Sequence, residues 1–142
     1  MKVLVTGAGG FIGKNLVAEL ERREGVVVLP FDVDTPEEML EEYCGQCGFV
    51  YNLAGVNRPE HMEEFMEGNF GFATALVESL KRHGNSCPIM NASSIQATLD
   101  NPYGRSKKAG EDMMFAYGRE TGAQVYIFIL HFVFGYFCSL NY

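Results

Sequence analysis

Positive charge is scarce in this chain. Lysine and arginine together number 11 against 18 aspartates and glutamates, and the formal net charge is −7 at neutral pH. A protein that binds nucleic acid usually neutralises phosphates with basic residues, so this balance argues against a nucleic-acid partner. The N-terminus also lacks the charged region and apolar stretch of a secretory signal, and we therefore expect a cytoplasmic protein.

The four cysteines lack the partners that a metal site would need. Cys44 and Cys47 form a C-x-x-C pair, while Cys87 and Cys138 stand alone. A closed zinc site takes four ligands, and neither a second such pair nor a suitable histidine pair is present. A redox-active pair lies at a helix N-terminus, whereas a helix beginning near Pro36 would place this pair at its far end. We predict no metal and two incidental thiols in a loop, with redox chemistry as the minority alternative.

The last nineteen residues, Gln124 to Tyr142, contain no charge. The segment is aromatic enough to suggest a membrane span, but His131, Gly135 and Asn141 interrupt it, and we predict no membrane association. An isolated chain with such a tail beside an open sheet edge would be prone to aggregation.

The apolar pattern predicts strands that alternate with helices. The predicted strands are 2–6, 26–31, 49–53, 88–92 and 125–130, and the predicted helices are 11–23, one from residue 36, 60–82 with a break near Gly68, and 102–120. This order is typical of a single α/β domain with a doubly wound, Rossmann-like parallel sheet. Thr35 is expected to cap the second helix, with Pro36 in its first turn and Glu38 closing a capping box.

A glycine-rich turn follows the first strand. The segment Thr6–Gly13 reads TGAGGFIG, a variant of the dinucleotide-binding fingerprint. Gly7 allows a sharp turn, Gly10 allows close approach of a pyrophosphate, and Gly13 allows the helix to pack tightly on the sheet. The free N–H groups of the helix would bind the phosphates. The alternative is a glycine turn without a ligand.

Asp32 stands at the end of the second predicted strand, nineteen residues after Gly13. A carboxylate at this place can accept hydrogen bonds from the adenosine ribose, which favours NAD over NADP. The competing interpretation is a turn aspartate, since Asp34 and Thr35 follow directly.

Tyr103 and Lys107 are four residues apart at the start of a predicted helix and therefore share one face. A nearby ammonium group can lower the pKa of a tyrosine and make it an acid–base catalyst. Ser94, after the fourth strand, could hold a substrate oxygen beside the phenol. Alone, the Y-x-x-x-K spacing is no more than a surface pair; together with the glycine turn it indicates ketone reduction with a nicotinamide.

These motifs resemble the extended short-chain dehydrogenase/reductase family, also described as the NAD-dependent epimerase/dehydratase family. The resemblance is carried by 6–13, 52–55, Asn69, Ser94, Tyr103 and Lys107. It implies an NAD(P)(H) cofactor and a nucleotide-sugar substrate, with Ser94, Tyr103 and Lys107 catalytic. The cofactor-binding residues that it implies are Gly7, Gly10, Phe11, Ile12, Gly13, Asp32, Leu53, Ala54, Gly55, Asn69 and Lys107. In the family, the lysine also binds the nicotinamide ribose, and the asparagine supports that lysine through water.

Three further segments, 55–61, 67–69 and 93–104, are similar to family members that reduce 4-keto nucleotide sugars for surface polysaccharides. Ile95 and Gln96 stand where dehydratases carry an acidic pair, which favours a reductase or a 4-epimerase. Substrate contacts are expected from Asn57, Arg58 and Ser94, although a structural salt bridge is an equal alternative for Arg58. The resemblance favours NADPH whereas Asp32 favours NAD, so the nucleotide stays open.

The chain also departs from the family pattern near its end. Ile129, His131 and Phe132 stand where the family carries arginine, proline and asparagine. We expect residues 1–142 to form an incomplete NAD(P)-binding domain that stops before the substrate subdomain. A non-catalytic NAD(P)-binding fragment is therefore a further alternative, and a homodimer is left open.

Overall fold

The computed structural model describes residues 1–56 and 59–130. The predicted substrate contacts Asn57 and Arg58 lie outside the described residues. So do the departures from the family pattern at His131 and Phe132 and the rest of the uncharged tail. The elements in chain order are β1 (Lys2–Thr6), α1 (Phe11–Leu20), β2 (Val27–Phe31), α2 (Glu38–Gln46), β3 (Phe49–Asn52), α3 (Glu63–Phe65), a π-helical segment (Met66–Gly71), α4 (Phe72–Arg82), β4 (Ile89–Ser94), a 3-10 turn (Ile95–Thr98), α5 (Pro102–Thr121) and β5 (Val125–Leu130).

The five strands form one parallel sheet in the order β2-β1-β3-β4-β5. The chain runs outward from β1 to β2 and then crosses back over β1 to β3, so the sheet is wound in both directions. The predicted doubly wound, Rossmann-like α/β fold is confirmed. Because all strands are parallel, their carboxyl ends share one edge, and the loops after β1, β3 and β4 meet there.

The main core fills the face of the sheet on which α2, α4 and α5 lie. Helix α4 contacts both α2 and α5. Leu4, Val50 and Ile89 occupy adjacent register positions on β1, β3 and β4 and are fully buried under these helices. Tyr117 of α5 is also fully buried, and its hydroxyl donates to the carbonyl of Cys87 at 2.9 Å. These contacts fix α5, which carries the predicted proton-transfer residues, against β4.

The opposite face is covered less evenly. Helix α1 packs against β1 and β2, and the side chains of Val3 and Val5, which alternate with Leu4, are buried on this face. At the far side of the sheet, Tyr126 and Phe128 of β5 are 43% and 53% exposed. Apolar residues that alternate along an edge strand therefore remain open to solvent within the described part of the chain.

Two local predictions are wrong. Helix α2 begins at Glu38, and no side chain caps it, so the predicted capping box is not formed. The Thr35 hydroxyl instead accepts the Asp32 N–H at 3.0 Å, because a local side-chain bond competes with the helix start. Ser94, expected after the fourth strand, is instead the last residue of β4, and Ser93 precedes it in the same strand. Alternation along the strand then sends the two side chains to opposite faces.

The predicted break near Gly68 is a π-helical segment between α3 and α4. A Cβ on Gly68 would collide with the side chain of Val56. The extra residue per turn therefore lets the helix pass close to the loop after β3, and it brings Asn69 inward, where only 6% of its surface is exposed.

The cysteine pair does not lie in a loop. Cys44 is in the last turn of α2 and Cys47 caps it, and both are buried in the core beside Cys87. Burial raises the pKa of the Cys44 thiol to about 12, so it is neutral at physiological pH. Among the described residues no group of histidines, cysteines or acids is placed to hold a metal. Nor does any described helix have the length and apolarity needed to cross a bilayer.

Candidate functional site

The glycine turn after β1 folds into a tight loop at the shared edge of the strands. Gly7 has φ +66°, a conformation that L side chains rarely adopt. A Cβ at this position would lie 2.7 Å from the amide nitrogen of Ala54. No side chain therefore fits between the glycine turn and the loop that follows β3. The predicted turn at Gly7 is therefore required both by backbone angle and by space.

Gly10 and Gly13 have different surroundings. A Cβ on Gly10, the N-cap of α1, would meet only the carbonyl of Gly7, at 3.3 Å, and Gly10 is exposed. A Cβ on Gly13 would lie 2.8 Å from Cα of Ala8 and still closer to the Gly7 carbonyl. Gly13 therefore packs tightly against the glycine loop itself. The sequence pattern predicted that it would pack against the sheet.

The first turn of α1 presents free backbone donors. No side chain caps this helix, and its first turn contains no acidic residue. Phe11 and Ile12, the first two helical residues, are partly exposed beside Gly10. Uncapped N–H groups with a partial positive charge are the usual means by which such a loop binds an anion.

Asp32 reaches the glycine loop from the end of β2. One carboxylate oxygen accepts the Gly9 N–H, and the other accepts the Val33 N–H at 2.7 Å. A carboxylate has about four lone-pair positions, so further acceptor capacity remains for hydroxyl groups of a ligand. The backbone around Asp32 is also fixed by the Thr35 bond, which places this side chain firmly beside the loop.

The loop after β3 connects the glycine turn to the lysine of α5. Leu53 and Ala54 lie against Gly7, since a Cβ on Gly7 would approach both backbones within 2.8 Å. One residue further on, a Cβ on Gly55 would lie 3.2 Å from Nζ of Lys107. Two motifs that are a hundred residues apart in sequence therefore meet across three consecutive loop residues.

Asn69 holds this loop in place. Its side-chain oxygen accepts the Val56 N–H at 3.0 Å, and its amide donates to the Val56 carbonyl at 3.0 Å. The same amide donates to the Ser106 hydroxyl at 3.0 Å, which in turn donates to the Tyr103 carbonyl at 2.7 Å. Asn69 thereby ties the loop after β3 to the helix that carries Tyr103 and Lys107.

Tyr103 lies in the first turn of α5. Asn101 caps this helix by accepting the Gly104 N–H at 2.7 Å, and Pro102 occupies its first position. The Tyr103 ring contacts Phe65 with centroids 5.4 Å apart, and Ser94 lies near enough to the phenol to act on its pKa. The predicted serine and tyrosine are therefore adjacent.

The pKa of Tyr103 is raised by burial, and the neighbouring Ser94 side chain opposes that rise. The predicted lowering of this pKa by Lys107 does not occur in this geometry. Lys107 Nζ donates instead to the carbonyl of Ala92 at 3.2 Å. Burial lowers the pKa of Lys107, and the negative charge of Glu111 acts in the opposite direction.

Sequence reasoning missed three polar residues at this site. Ser106 is fully buried and links Asn69 to Tyr103, while Ser93 donates to the carboxylate of Glu111. Glu111 follows Lys107 by four residues, and this helical spacing was the signal available in the sequence. The structure does not describe Asn57 and Arg58, so their predicted substrate contacts stay predictions.

The glycine loop fits the pyrophosphate of a dinucleotide. Side chains are excluded at Gly7 and Gly13, Gly10 is exposed, and Asp32 stands at the edge with spare acceptor capacity. Gly55, Lys107 and Tyr103 lie next to this loop along the same edge of the sheet, where the carboxyl ends of the strands meet.

A parallel, doubly wound sheet with this loop and a tyrosine–lysine helix defines a dinucleotide-binding protein of the Rossmann class. The model of the NAD dependent epimerase/dehydratase family matches residues 3–141, and the chain belongs to that family. The predicted family is thereby confirmed.

Similar proteins of known activity are nucleotide-sugar enzymes. Over all 142 residues the chain is 46% identical to UDP-2-acetamido-2,6-beta-L-arabino-hexul-4-ose reductase of Pseudomonas aeruginosa, of which it covers 38%. It is 28% identical over 103 residues, 72% of the chain, to ADP-L-glycero-D-manno-heptose-6-epimerase of the same species, of which it covers 28%. The chain therefore spans well under half the length of these relatives.

Solved structures agree with this assignment. The capsular polysaccharide assembling protein CapF from Staphylococcus aureus matches the whole chain with a TM-score of 0.87 and 42% identity, and the chain covers 38% of it. RMD from Pseudomonas aeruginosa, complexed with NADPH, matches 89% of the chain with a TM-score of 0.71 and 25% identity, and the chain covers 51% of it. A UDP-glucuronic acid 4-epimerase from Bacillus cereus with NAD, at 19% identity and a TM-score of 0.76, shares the fold over 89% of the chain, which covers 55% of it.

Proposed function

We propose that this chain forms the cofactor-binding and proton-transfer part of an NAD(P)-dependent reductase that acts on a 4-keto nucleotide sugar in surface polysaccharide biosynthesis. The observation that carries the proposal is the meeting of the glycine loop and Lys107 across Leu53–Gly55. The 46% identity to a hexul-4-ose reductase and the match to CapF support this substrate class.

The cofactor residues would act mainly through the backbone. The N–H groups at the start of α1 would bind the pyrophosphate, and Asp32 would accept hydroxyls of the adenosine ribose. Lys107, beside Gly55, would bind the second ribose. When bound, a reduced nicotinamide supplies the hydride.

The reaction needs one proton from the protein. The Ser94 hydroxyl would hold the ketone oxygen next to Tyr103, and the phenol would donate its proton to that oxygen as carbon 4 receives the hydride. Lys107 would stabilise the resulting phenolate once its ammonium group is turned from the Ala92 carbonyl towards the bound nucleotide.

A 4-epimerase is the second candidate. The 28% identity to ADP-L-glycero-D-manno-heptose-6-epimerase supports epimerisation as a reaction class, although that relative is named for carbon 6. The two reactions differ in what happens to the cofactor. A reductase consumes one reduced nicotinamide for each product, whereas an epimerase returns the cofactor to its starting state.

The first test is binding to the chain itself. We expect NADH or NADPH to bind with saturable enhancement of nucleotide fluorescence, which is easily read because the chain contains no tryptophan. If neither nucleotide shows saturable binding, the proposal is excluded. If a nucleotide binds but the turnover test described next shows no reaction, the chain is a non-catalytic NAD(P)-binding module.

The second test is turnover in a chimera that replaces the matching segment of the Pseudomonas reductase with this chain. With a UDP-linked 4-keto sugar, we expect stoichiometric oxidation of the nicotinamide. Interconversion of two epimers without net oxidation would identify the epimerase instead.

A further inference from the structure

Two residues next to the proposed catalytic set have no assigned role. Ser93 is 3% exposed and points away from Ser94, under helix α5. Its hydroxyl donates to the carboxylate of Glu111, which is partly buried in the middle of that helix. A buried hydroxyl bound to a carboxylate at this point of the sheet calls for a physical explanation.

Lys107 is tied to the same stretch of β4. Its Nζ donates to the carbonyl of Ala92, the residue directly before Ser93. Lys107 and Glu111 lie one helical turn apart on the same side of α5. Two consecutive residues of β4 therefore bind the two side chains separately: Ala92 binds the Lys107 amine and Ser93 binds the Glu111 carboxylate.

The contacts that other described elements make around Lys107 are uncharged, and Glu67 of the π-helical segment is exposed to solvent. The loop after β3 presents the backbone of Gly55, the π-helical segment presents the amide of Asn69, and β4 presents the Ala92 carbonyl. The titratable side chains nearby are those of Tyr103 and Glu111, both on α5 itself. Within the described ranges, Glu111 is the charged group that acts on Lys107.

We propose that Glu111, anchored by Ser93, is a positioning residue that keeps the Lys107 ammonium charged without drawing it away from the loop after β3. The use of that charge rests on the proposed function, whereas the coupling itself rests on the contacts described above.

The physical reason lies in the distance at which the carboxylate is held. An amine that loses hydration on burial favours its neutral form, and a nearby negative charge restores the ammonium form. A direct ion pair would do the same but would also fix the ammonium on the carboxylate. The described ion pairs include none between Lys107 and Glu111, and one oxygen of the Glu111 carboxylate accepts the Ser93 hydroxyl.

The test measures protonation of Lys107 directly in this chain, without nucleotide. Lysine labelled with carbon-13 at Cε is followed by NMR across the alkaline range, and the Lys107 signal is assigned by its loss in Lys107→Arg. We expect Glu111→Gln, which retains a side-chain acceptor for Ser93, to weaken proton binding at Lys107 about tenfold.

Asp112→Asn is the matched control, since Asp112 is exposed and pairs with Lys108 on the outer side of the same helix. This variant should leave the Lys107 titration unchanged. An equal titration of Lys107 in wild type and Glu111→Gln would overturn the proposal.

Ser93→Ala is the second variant and keeps the negative charge. Freed from Ser93, the carboxylate can pair directly with Lys107, so we expect proton binding by Lys107 to be as strong as in wild type or stronger. A tenfold weakening in this variant would show that packing, not charge, controls Lys107, and would contradict the inference. Because the titration uses no nucleotide, its outcome is independent of whether the chain proves to be a reductase.

Discussion

The two halves of the candidate site are built from different material. The glycine loop between β1 and α1 is a backbone structure, defined by positions where a Cβ has no room, as at Gly7 and Gly13. The proton-transfer half at β4 and α5 is a side-chain structure. Its members meet partners from other elements: the Tyr103 ring packs on Phe65 near Ser94, and Lys107 donates to the Ala92 carbonyl.

This difference predicts different responses to mutation. Steric exclusion is steep, because protein interiors are close-packed and a methyl group with no space must displace backbone. Proton transfer is controlled by hydrogen bonds and charge, which change reactivity while the surrounding fold stays intact. Substitutions in the loop should therefore affect folding and binding together, and substitutions at α5 should separate binding from chemistry.

The largest effect is expected for Gly13→Ala. The added methyl would lie 2.8 Å from Cα of Ala8 and closer to the Gly7 carbonyl, and neither is a flexible side-chain end. We expect a loss of about 3 kcal/mol in unfolding free energy and no measurable nucleotide binding. Thermal unfolding and NADH or NADPH fluorescence titration measure the two effects.

Gly10→Ala provides the matched control for steric strain. Its methyl meets only the Gly7 carbonyl at 3.3 Å, so the fold should be nearly as stable as wild type while the methyl obstructs the phosphate position. If Gly13→Ala were as stable as Gly10→Ala, the loop would not be sterically determined.

Tyr103→Phe should show the opposite behaviour. Loss of the phenol proton is expected to lower ketone reduction about a thousandfold in the chimera with the Pseudomonas reductase. Nucleotide affinity should change less than about twofold, because the glycine loop is untouched.

The control for this variant is Tyr126→Phe, which removes an exposed hydroxyl bound to Gln124 at 2.8 Å on β5. It should retain full activity. Undiminished turnover by Tyr103→Phe would remove the tyrosine from the proposed mechanism.

The steric half of the site could be predicted from sequence because its rules are local. TGAGGFIG after a short apolar strand and before a helix specifies both the turn and its place in the sheet, and the register of the five parallel strands agrees. The alternation of strands and helices likewise predicted the fold, although helix ends differed by a few residues, as for α1 at Leu20.

The electrostatic half could be predicted only in part, since its partners come from distant segments. The spacing of Tyr103 and Lys107 was visible, but the direction of the lysine towards Ala92 depends on how α5 docks on β4. Thr35 shows the same limit on a small scale. Its position fits a helix cap, yet its hydroxyl binds Asp32, because the competing partner lies only three residues away.

Asp32→Asn tests a residue that combines features of both halves of the site. Its side chain binds the glycine loop, which is otherwise defined by backbone atoms. Replacing the carboxylate weakens hydrogen bonds to ribose hydroxyls, and we expect about a tenfold loss of NADH affinity. NADPH affinity should fall less, because the negative charge that opposes a 2′-phosphate is removed as well. The ratio of the two dissociation constants, from parallel fluorescence titrations, is the measured quantity.

Asp34→Asn is the charge-matched control for this prediction, since Asp34 is exposed two residues beyond Asp32. It should leave the ratio unchanged. Equal losses for both nucleotides in Asp32→Asn would favour the turn-aspartate interpretation, in which the side chain serves only the Gly9 and Val33 amides.

The smallest effect is expected for Asn101→Ala, which removes the cap of α5. The Asn101 side chain accepts the Gly104 N–H at 2.7 Å, and losing such a cap costs about 1 kcal/mol of stability. Because Tyr103 lies in this first turn, fraying should also loosen its placement beside Ser94 and lower turnover by a small factor. Asn101→Asp retains the acceptor and should restore both stability and turnover. If turnover fell in Asn101→Ala with no change in thermal unfolding, Asn101 would act on the substrate directly, and the proton-transfer half would extend beyond the residues proposed here.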